Sequence, residues 1–335
     1  MNIKGLITSH SLEMQLKSGL DTEIAHALNI LSIISADQYT IFSLMNDPEL
    51  IFVMTEMLED CLKKFKLISS DDDIISFSKL CDMEMDDFEQ VYAPTIHGKT
   101  LKEEEKVKNR SLCLGNIFRN LSFIPDNQIL FAQNTKLLEV ILMTLKIQCD
   151  AHYLQDSNPI INNEESSNST NTKEQLYSET ATCILEHRKN GIIFFSNISA
   201  YLKLPNEAFA NTLITILKDV IINSEDSTYS YPALETVGKL GIMDENKDKL
   251  SSVPIDWYEV VNYIMTLLPE DGLNLNIDPE DVAEIEMVML NLYNICTFDD
   301  NLKLKVANRP GFIPFMLKLS LYPNEFINFL IHSKP

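Results

Sequence analysis

Glycine is scarce in this chain, at nine residues in 335. Runs of alternating apolar and polar residues bounded by turns are also missing, which argues against a β-rich fold and predicts a nearly all-α protein. Basic residues are outnumbered, with 27 lysines and arginines against 49 acidic residues and a formal net charge of −22. Such a chain repels phosphate backbones, so direct nucleic-acid binding is not expected. Its densest basic cluster, Lys63, Lys64 and Lys66, falls at the end of a predicted helix, where lysines complement the helix dipole. No apolar run approaches the ~20 residues needed to cross a bilayer. The N-terminus lacks the basic region and apolar core of a signal peptide, so the expectation is an intracellular protein with no membrane contact.

Catalytic frames are missing too. The sequence has no GxGxxG, Walker loop, HExxH or GxSxG. Gly238-Lys239-Leu240-Gly241 lacks phosphate-loop spacing and sits in a helical pattern, so it predicts small-residue helix packing. Six histidines, His10, His26, His97, His152, His187 and His332, are spread singly. Adjacent acids such as Asp86-Asp87 and Asp299-Asp300 point in different directions and define no acid/base pair. Six cysteines, Cys61, Cys81, Cys113, Cys149, Cys183 and Cys296, show no CxxC pair and no histidine at zinc-ligand spacing. Four of them, from Cys113 onward, lie in apolar helical stretches and predict buried free thiols. The glycosylation-like triplets at Asn120, Asn168 and Asn197 carry no meaning in that setting. No enzyme activity, catalytic residue, cofactor, metal or small-molecule substrate is expected.

What the chain does contain is a phrase that recurs five times: an apolar helix, a polar turn, and a second apolar helix. The units open at Ala27 (ALNILSIISADQYTIF), Leu112 (LCLGNIFRNLSFIPDNQILF), Ile192 (IIFFSNISAYLKLPNEAF), Ala233 (ALETVGKLGIMDENKDKL) and Met287 (MVMLNLYNICTFDDNLKL). Asn127, Asn206, Asn246 and Asn301 align at one place in the turns, with Asp37 near it in the first unit. The steps between these positions are 90, 79, 40 and 55 residues, so one step is a bare unit and the others carry insertions or an extra helical pair. Self-similarity at this period predicts an all-α, armadillo/HEAT-like α-solenoid, a class that acts mostly by binding macromolecules.

Helix faces and starts agree with the repeats. Leu114, Ile117, Phe118 and Leu121 share one face, as do Trp257, Val260, Val261, Ile264 and Leu268, and Ile285, Val288, Met289, Leu292 and Ile295. Asp47-Pro48-Glu49 and Asp278-Pro279-Glu280 each combine an N-cap acceptor, a proline at the first helical position and an acid in the first turn. One repeat domain over 1–335 is expected, with an acidic insertion at 69–106 and a disordered Asn/Ser-rich insertion at 155–173 (QDSNPIINNEESSNSTNTK) that cannot bury enough apolar surface to order itself. A plain loop is expected near Pro269 to Ile277.

Two segments carry a family resemblance. Leu16-Lys17-Ser18-Gly19-Leu20, followed by Glu23, Ala27, Leu28 and Asn29, resembles the opening of the C-terminal helical-repeat domain in the Osa/BAF-type, ARID-bearing subunit of SWI/SNF chromatin remodellers. Cys113 to Asn127 (CLGNIFRNLSFIPDN) is similar to that domain's most recognisable stretch. The resemblance covers about 30 residues specifically and the remaining units by architecture alone. The Asn/Ser-rich insertion points to the fungal member, with the related ARID/Rsc-type subunit of the sister remodeller as the near alternative. The resemblance implies a nuclear, non-catalytic scaffold that joins other core subunits, including the region leading into the ATPase. The family's ARID module is not in this sequence, so the chain reads as an excised C-terminal fragment.

Arg119, Asn127 and Trp257 are the candidate partner-binding residues. Asn120 and Ser122, beside Arg119, read as groups that satisfy the turn between repeats. Arg119 has apolar helical neighbours, and guanidinium groups are favoured at interfaces. The alternative function is an armadillo-type groove receptor for basic peptides. A groove receptor would repeat Trp and Asn on its inner helices, and this chain has one tryptophan.

Overall fold

The computed structural model describes residues 8–37, 41–64, 103–147, 167–224, 226–268, 279–298 and 300–320. Among them every regular element is helical. Chain contacts group into two compact units, Met1–Leu202 and Lys203–Pro335. The first contains α1 (Ser9–Lys17), α2 (Asp21–Ala36), α3 (Pro48–Lys64), α4 (Glu103–Leu121), α5 (Pro125–Gln133), α6 (Thr135–Leu145), α7 (Ser167–Ile198) and a 3-10 turn, Ser199–Tyr201. The second contains α8 (Glu207–Asn223), α9 (Ser227–Leu240), α10 (Asp244–Ser251), α11 (Trp257–Thr266), α12 (Pro279–Cys296), α13 (Asp300–Ala307) and α14 (Phe312–Ser320).

In the first unit, α4 packs between α2 and α7, while α3 packs on α6. Both rows stack repeat on repeat. In the second unit, α9 packs on α12 and α8 on α11 in the same two-row manner. The predicted apolar stripes supply the contacts. Leu114, Ile117, Phe118 and Leu121 of α4 are all fully buried, as are Leu213, Leu217, Val220 and Ile221 of α8. Phe118, Phe131 and Phe194 form a chain of ring contacts through the first core, at centroid distances of 6.0 and 5.4 Å. Helices α3 and α12 begin at Pro48 and Pro279, the positions their start signals predict. Side-chain caps close other starts, with Asn206 accepting from Phe209 N at 2.8 Å and Asp256 from Tyr258 N at 2.9 Å.

The expected insertions fall mostly outside the described residues. For the acidic stretch, α4 begins at Glu103, and residues 69–102 are not described. For the Asn/Ser-rich stretch, residues 155–166 are not described, and residues 167–173 belong to α7 rather than to a loop. Helix propagation adds one hydrogen bond per residue, so a helix nucleated on the buried Cys183–Ile198 end extends into polar sequence. The expected loop at 269–277 and Lys66 also lie outside the described residues. Cys61, Cys113 and Cys183 are buried free thiols, and burial pushes Cys61 and Cys183 up to about 11.

Candidate functional site

A polar seam runs through the stacked row of the first unit. Arg119, on α4, is half-buried, and its Nη1 donates to Asn190 Oδ1 of α7 at 3.0 Å. Its Nε and Nη2 donate to Asn120 Oδ1 at 3.3 and 3.1 Å. Asn120 in turn donates to Ser35 Oγ of α2 at 3.4 Å. Three successive stacked helices are therefore tied together by one guanidinium and two amides. Burial lowers the pKa of Arg119, with the Glu186 carboxylate opposing that shift. An arginine keeps its charge through such a shift, so the seam is cationic at its centre.

The seam continues on both sides of Arg119. Ser122 Oγ donates to Arg119 O at 2.6 Å and accepts from Asn197 Nδ2 of α7 at 2.8 Å. At the other end, Ser111 donates to Lys108 O at 2.8 Å, which leaves its oxygen to accept from His187 Nε2 at 3.1 Å. Residues 111, 115 and 119 follow the i, i+4 spacing of one helix face, with Gly115 in the middle facing Asn190 and His187. His187 is fully buried, and desolvation, helped by the nearby Lys108 charge, holds its pKa down at about 3. Its imidazole is a neutral packing element.

Asn127 is fully buried, so its sequence-based assignment to partner binding does not hold. Its Oδ1 accepts from Leu44 N at 2.8 Å, and its Nδ2 donates to Phe42 O and Leu121 O, both at 3.1 Å. All its polar positions serve the turn and the loop between α2 and α3. Asn246 does the same in the second unit, accepting from Leu204 N at 2.9 Å and donating to Leu240 O at 3.1 Å. Each amide reaches the carbonyl six residues back and clamps a loop from the preceding repeat. The other two aligned asparagines differ, since Asn206 is an N-cap and Asn301 is exposed.

Trp257 is likewise a core residue, 8% exposed, with its ring edge-on to Phe298 at 5.1 Å. Partner binding through its side chain is corrected to packing between α11 and the turn after α12. Of the three candidates, only Arg119 is not buried. Sequence reasoning missed Phe123 and Ile242, which are 59% and 55% exposed. Both lie four residues before a clamping asparagine, so an apolar side chain stands open at the same turn position of two repeats. That equivalence is visible in the aligned phrases FIPDN and IMDEN.

Glycine explains how the second unit's row closes. A Cβ at Gly238 would meet Asn291 Nδ2 at 3.0 Å, and one at Gly241 would meet Asn294 Cβ at 2.6 Å. Asn291 and Asn294, on α12, use this closeness to donate to Leu234 O at 3.0 Å and Gly238 O at 2.7 Å. The predicted small-residue helix packing is what the Gly-Lys-Leu-Gly stretch does. Among the described residues, no group of three His, Cys, Asp or Glu side chains is placed to hold a metal ion. Among them no helix is long and apolar enough to cross a membrane.

Comparison with known proteins follows the same residues. The family described as SWI/SNF-like complex subunit BAF250/Osa matches residues 106–319, well over half of the chain. Trithorax group protein osa of Drosophila melanogaster is 24% identical over 172 residues, covering 46% of this chain and 6% of that protein. Armadillo repeat-containing protein LFR of Arabidopsis thaliana is 22% identical over 228 residues, 66% of this chain and 41% of that protein. SWI/SNF chromatin-remodeling complex subunit sol1 of Schizosaccharomyces pombe is 23% identical over 159 residues, 42% of this chain and 18% of that protein. The chain thus spans less than half the length of each of these relatives. The match runs from the first turn of α4 into the last turn of α14 and takes in Arg119 and both clamping asparagines; the chain belongs to the SWI/SNF-like BAF250/Osa subunit family.

Proposed function

We propose that this chain is a non-catalytic scaffold within a SWI/SNF-type chromatin-remodelling complex, acting in the nucleus by binding other core subunits, including the region leading into the ATPase. The observation that carries this reading is the division of labour between side chains. The amides and the guanidinium of the stacked helices hold repeat to repeat, while Phe123 and Ile242 stand exposed at the turn position the repeats share. Rigid stacking of this kind presents fixed apolar anchors for partners, and a few such anchors dominate binding at protein interfaces. Membership of the BAF250/Osa family supplies the class of partner. Transcription regulation follows as the role of the assembled complex rather than of any residue here.

The groove-receptor alternative loses ground on the same amides. A receptor of that kind must keep asparagine side chains open to pin an extended ligand backbone. Here Asn190, Asn291 and Asn294 are buried, with hydrogen bonds made inside the stack, and the one tryptophan is core.

The test is capture of separately expressed SWI/SNF core subunits on the immobilised 335-residue chain, with Phe123→Asp and Ile242→Asp variants beside it. Both positions are exposed, so the variants keep their helical circular-dichroism signal. Salt-resistant capture of a defined subset, reduced at least tenfold by one or both variants, is the expected result. A folded chain that retains no subunit would overturn the scaffold reading.

A further inference from the structure

An open groove of about 890 Å³ lies in the second unit between α11 and the α13–α14 turn. Its wall includes Tyr258, Asn262, Leu304, Lys305 and Arg309, and among the described residues no aspartate or glutamate lines it. That is unusual company in a chain with 49 acidic residues. Three described carboxylates close by in sequence are engaged elsewhere. Glu259 pairs with Lys218, Asp300 pairs with Lys303 at 2.7 Å, and Asp256 caps α11 through Tyr258 N.

The cations of the unit divide in the same way. Lys203, Lys218, Lys239, Lys247 and Lys303 each meet a carboxylate, and Lys249 donates to Leu204 O. Among the cations of this unit whose side chains are described, Lys305 and Arg309 lack a carboxylate or an equivalent close acceptor. Lys305 Nζ lies 4.2 Å over the Tyr258 ring, and Arg309 Nη1 makes a long 3.4 Å contact with Asn262 O. Beside them, Leu304 is 62% exposed. A cation held over an aromatic face is stabilised only modestly, so its charge stays available to an incoming anion.

We propose that this groove docks an acidic segment of a partner protein, one whose carboxylates flank an apolar side chain. The carboxylates meet Lys305 and the guanidinium of Arg309, which accepts a planar anion in bidentate fashion. The apolar side chain covers Leu304 and the open edge of Tyr258. Two cations are too few to hold a nucleic acid duplex against a net charge of −22 at physiological salt. A short acidic peptide asks for no more than two. The inference rests on the charge layout of this unit and not on the SWI/SNF reading, so failure of the subunit capture leaves it standing.

The experiment is fluorescence anisotropy with the full chain and a labelled peptide of about a dozen residues, in which Asp and Glu flank two leucines and a phenylalanine. The variants are Lys305→Glu, and Lys305→Glu combined with Arg309→Glu, each checked for an unchanged melting temperature. A Lys303→Glu variant serves as a control for total charge, since Lys303 is exposed and already paired with Asp300. Saturable binding that weakens at least tenfold in the groove variants, and less than threefold in the control, is the expected result. No binding of the acidic probe, equal loss in the control, or binding of a duplex oligonucleotide in place of the peptide would each overturn the proposal.

Discussion

Asn127 holds backbone groups that a loop between stacked helices otherwise leaves without partners. Replacing it by alanine leaves the buried Leu44 N–H without its acceptor and the half-buried Phe42 O without this donor, while Leu121 O keeps its bond from Ile124 N–H. A buried unsatisfied group costs about 1–3 kcal/mol, so the expected loss is about 2 kcal/mol for Asn127→Ala. Asn127→Asp keeps the shape but turns a donor into an acceptor facing two carbonyls. Its buried carboxylate has a folded pKa raised above the unfolded value, so the deficit grows as pH rises and shrinks as the carboxyl protonates. Urea denaturation at pH 5.5 and 7.5 reads both effects, and a pH-independent gap between the two variants would contradict the assignment. His187 titrates with the opposite consequence. Its folded pKa of about 3 lies below the ordinary imidazole value near 6.5. The unfolded chain therefore binds the extra proton, and this contribution to stability is present in full above pH 6.5 and lost as pH falls toward 3. Between pH 7.5 and 5.5 the protein should lose on the order of 1 kcal/mol that a His187→Gln variant does not lose. Parallel pH profiles for the two proteins would assign the loss to other groups.

Glycine acts at the scale of helix pairs, and its positions in the stacked helices are not equivalent. At Gly241 an added Cβ comes within 2.6 Å of Asn294 Cβ and 2.8 Å of its Cγ, atoms close to the α12 backbone that cannot swing aside. At Gly115 the nearest atom is Asn190 Nδ2 at 3.5 Å, an ordinary contact. Gly241→Ala should therefore push α12 off α9 and cost about 1–3 kcal/mol, whereas Gly115→Ala should be neutral or stabilise by up to ~1 kcal/mol through helix propensity. Thermal denaturation of the pair checks the contrast, and similar shifts in both would sink it. The close approach at Gly238 was legible in the sequence because two small residues three apart interrupt a helical pattern. The helix faces were legible for the same reason: Leu114, Ile117, Phe118 and Leu121 repeat at the period a buried stripe requires. Two things were not legible. Identical asparagines in aligned turns could be a clamp, an N-cap or an exposed side chain, because their role depends on which loop lies across them in space. A tryptophan that opens an amphipathic stripe could likewise face the core or a partner until its neighbour Phe298 was placed.

The whole chain carries its charge unevenly, and that bears on how it behaves in solution. Its described ion pairs are mostly exposed, and several are local i,i+3 or i,i+4 pairs such as Lys63–Glu59 and Lys247–Asp244. Surface pairs of this kind contribute between 0 and about 1 kcal/mol each, and salt weakens them. Against them stands the mutual repulsion of an excess of 22 negative charges. That repulsion acts over distances that exceed the screening length of ~10 Å at 0.1 M salt, and it opposes the compact state throughout the molecule. The two effects of added salt have opposite signs. The repulsion is the longer-ranged and is not limited to particular partners, so its screening should win. Raising sodium chloride from about 20 to 200 mM should therefore increase the melting temperature by several degrees, most of the rise coming below about 100 mM, where the screening length changes fastest. A scan in which the melting temperature falls with salt would show that local pairs such as the Lys106 and Arg110 contacts with Asp21 outweigh the global repulsion. A Lys106→Gln variant separates the two cases: it loses stability at low salt only if those pairs dominate.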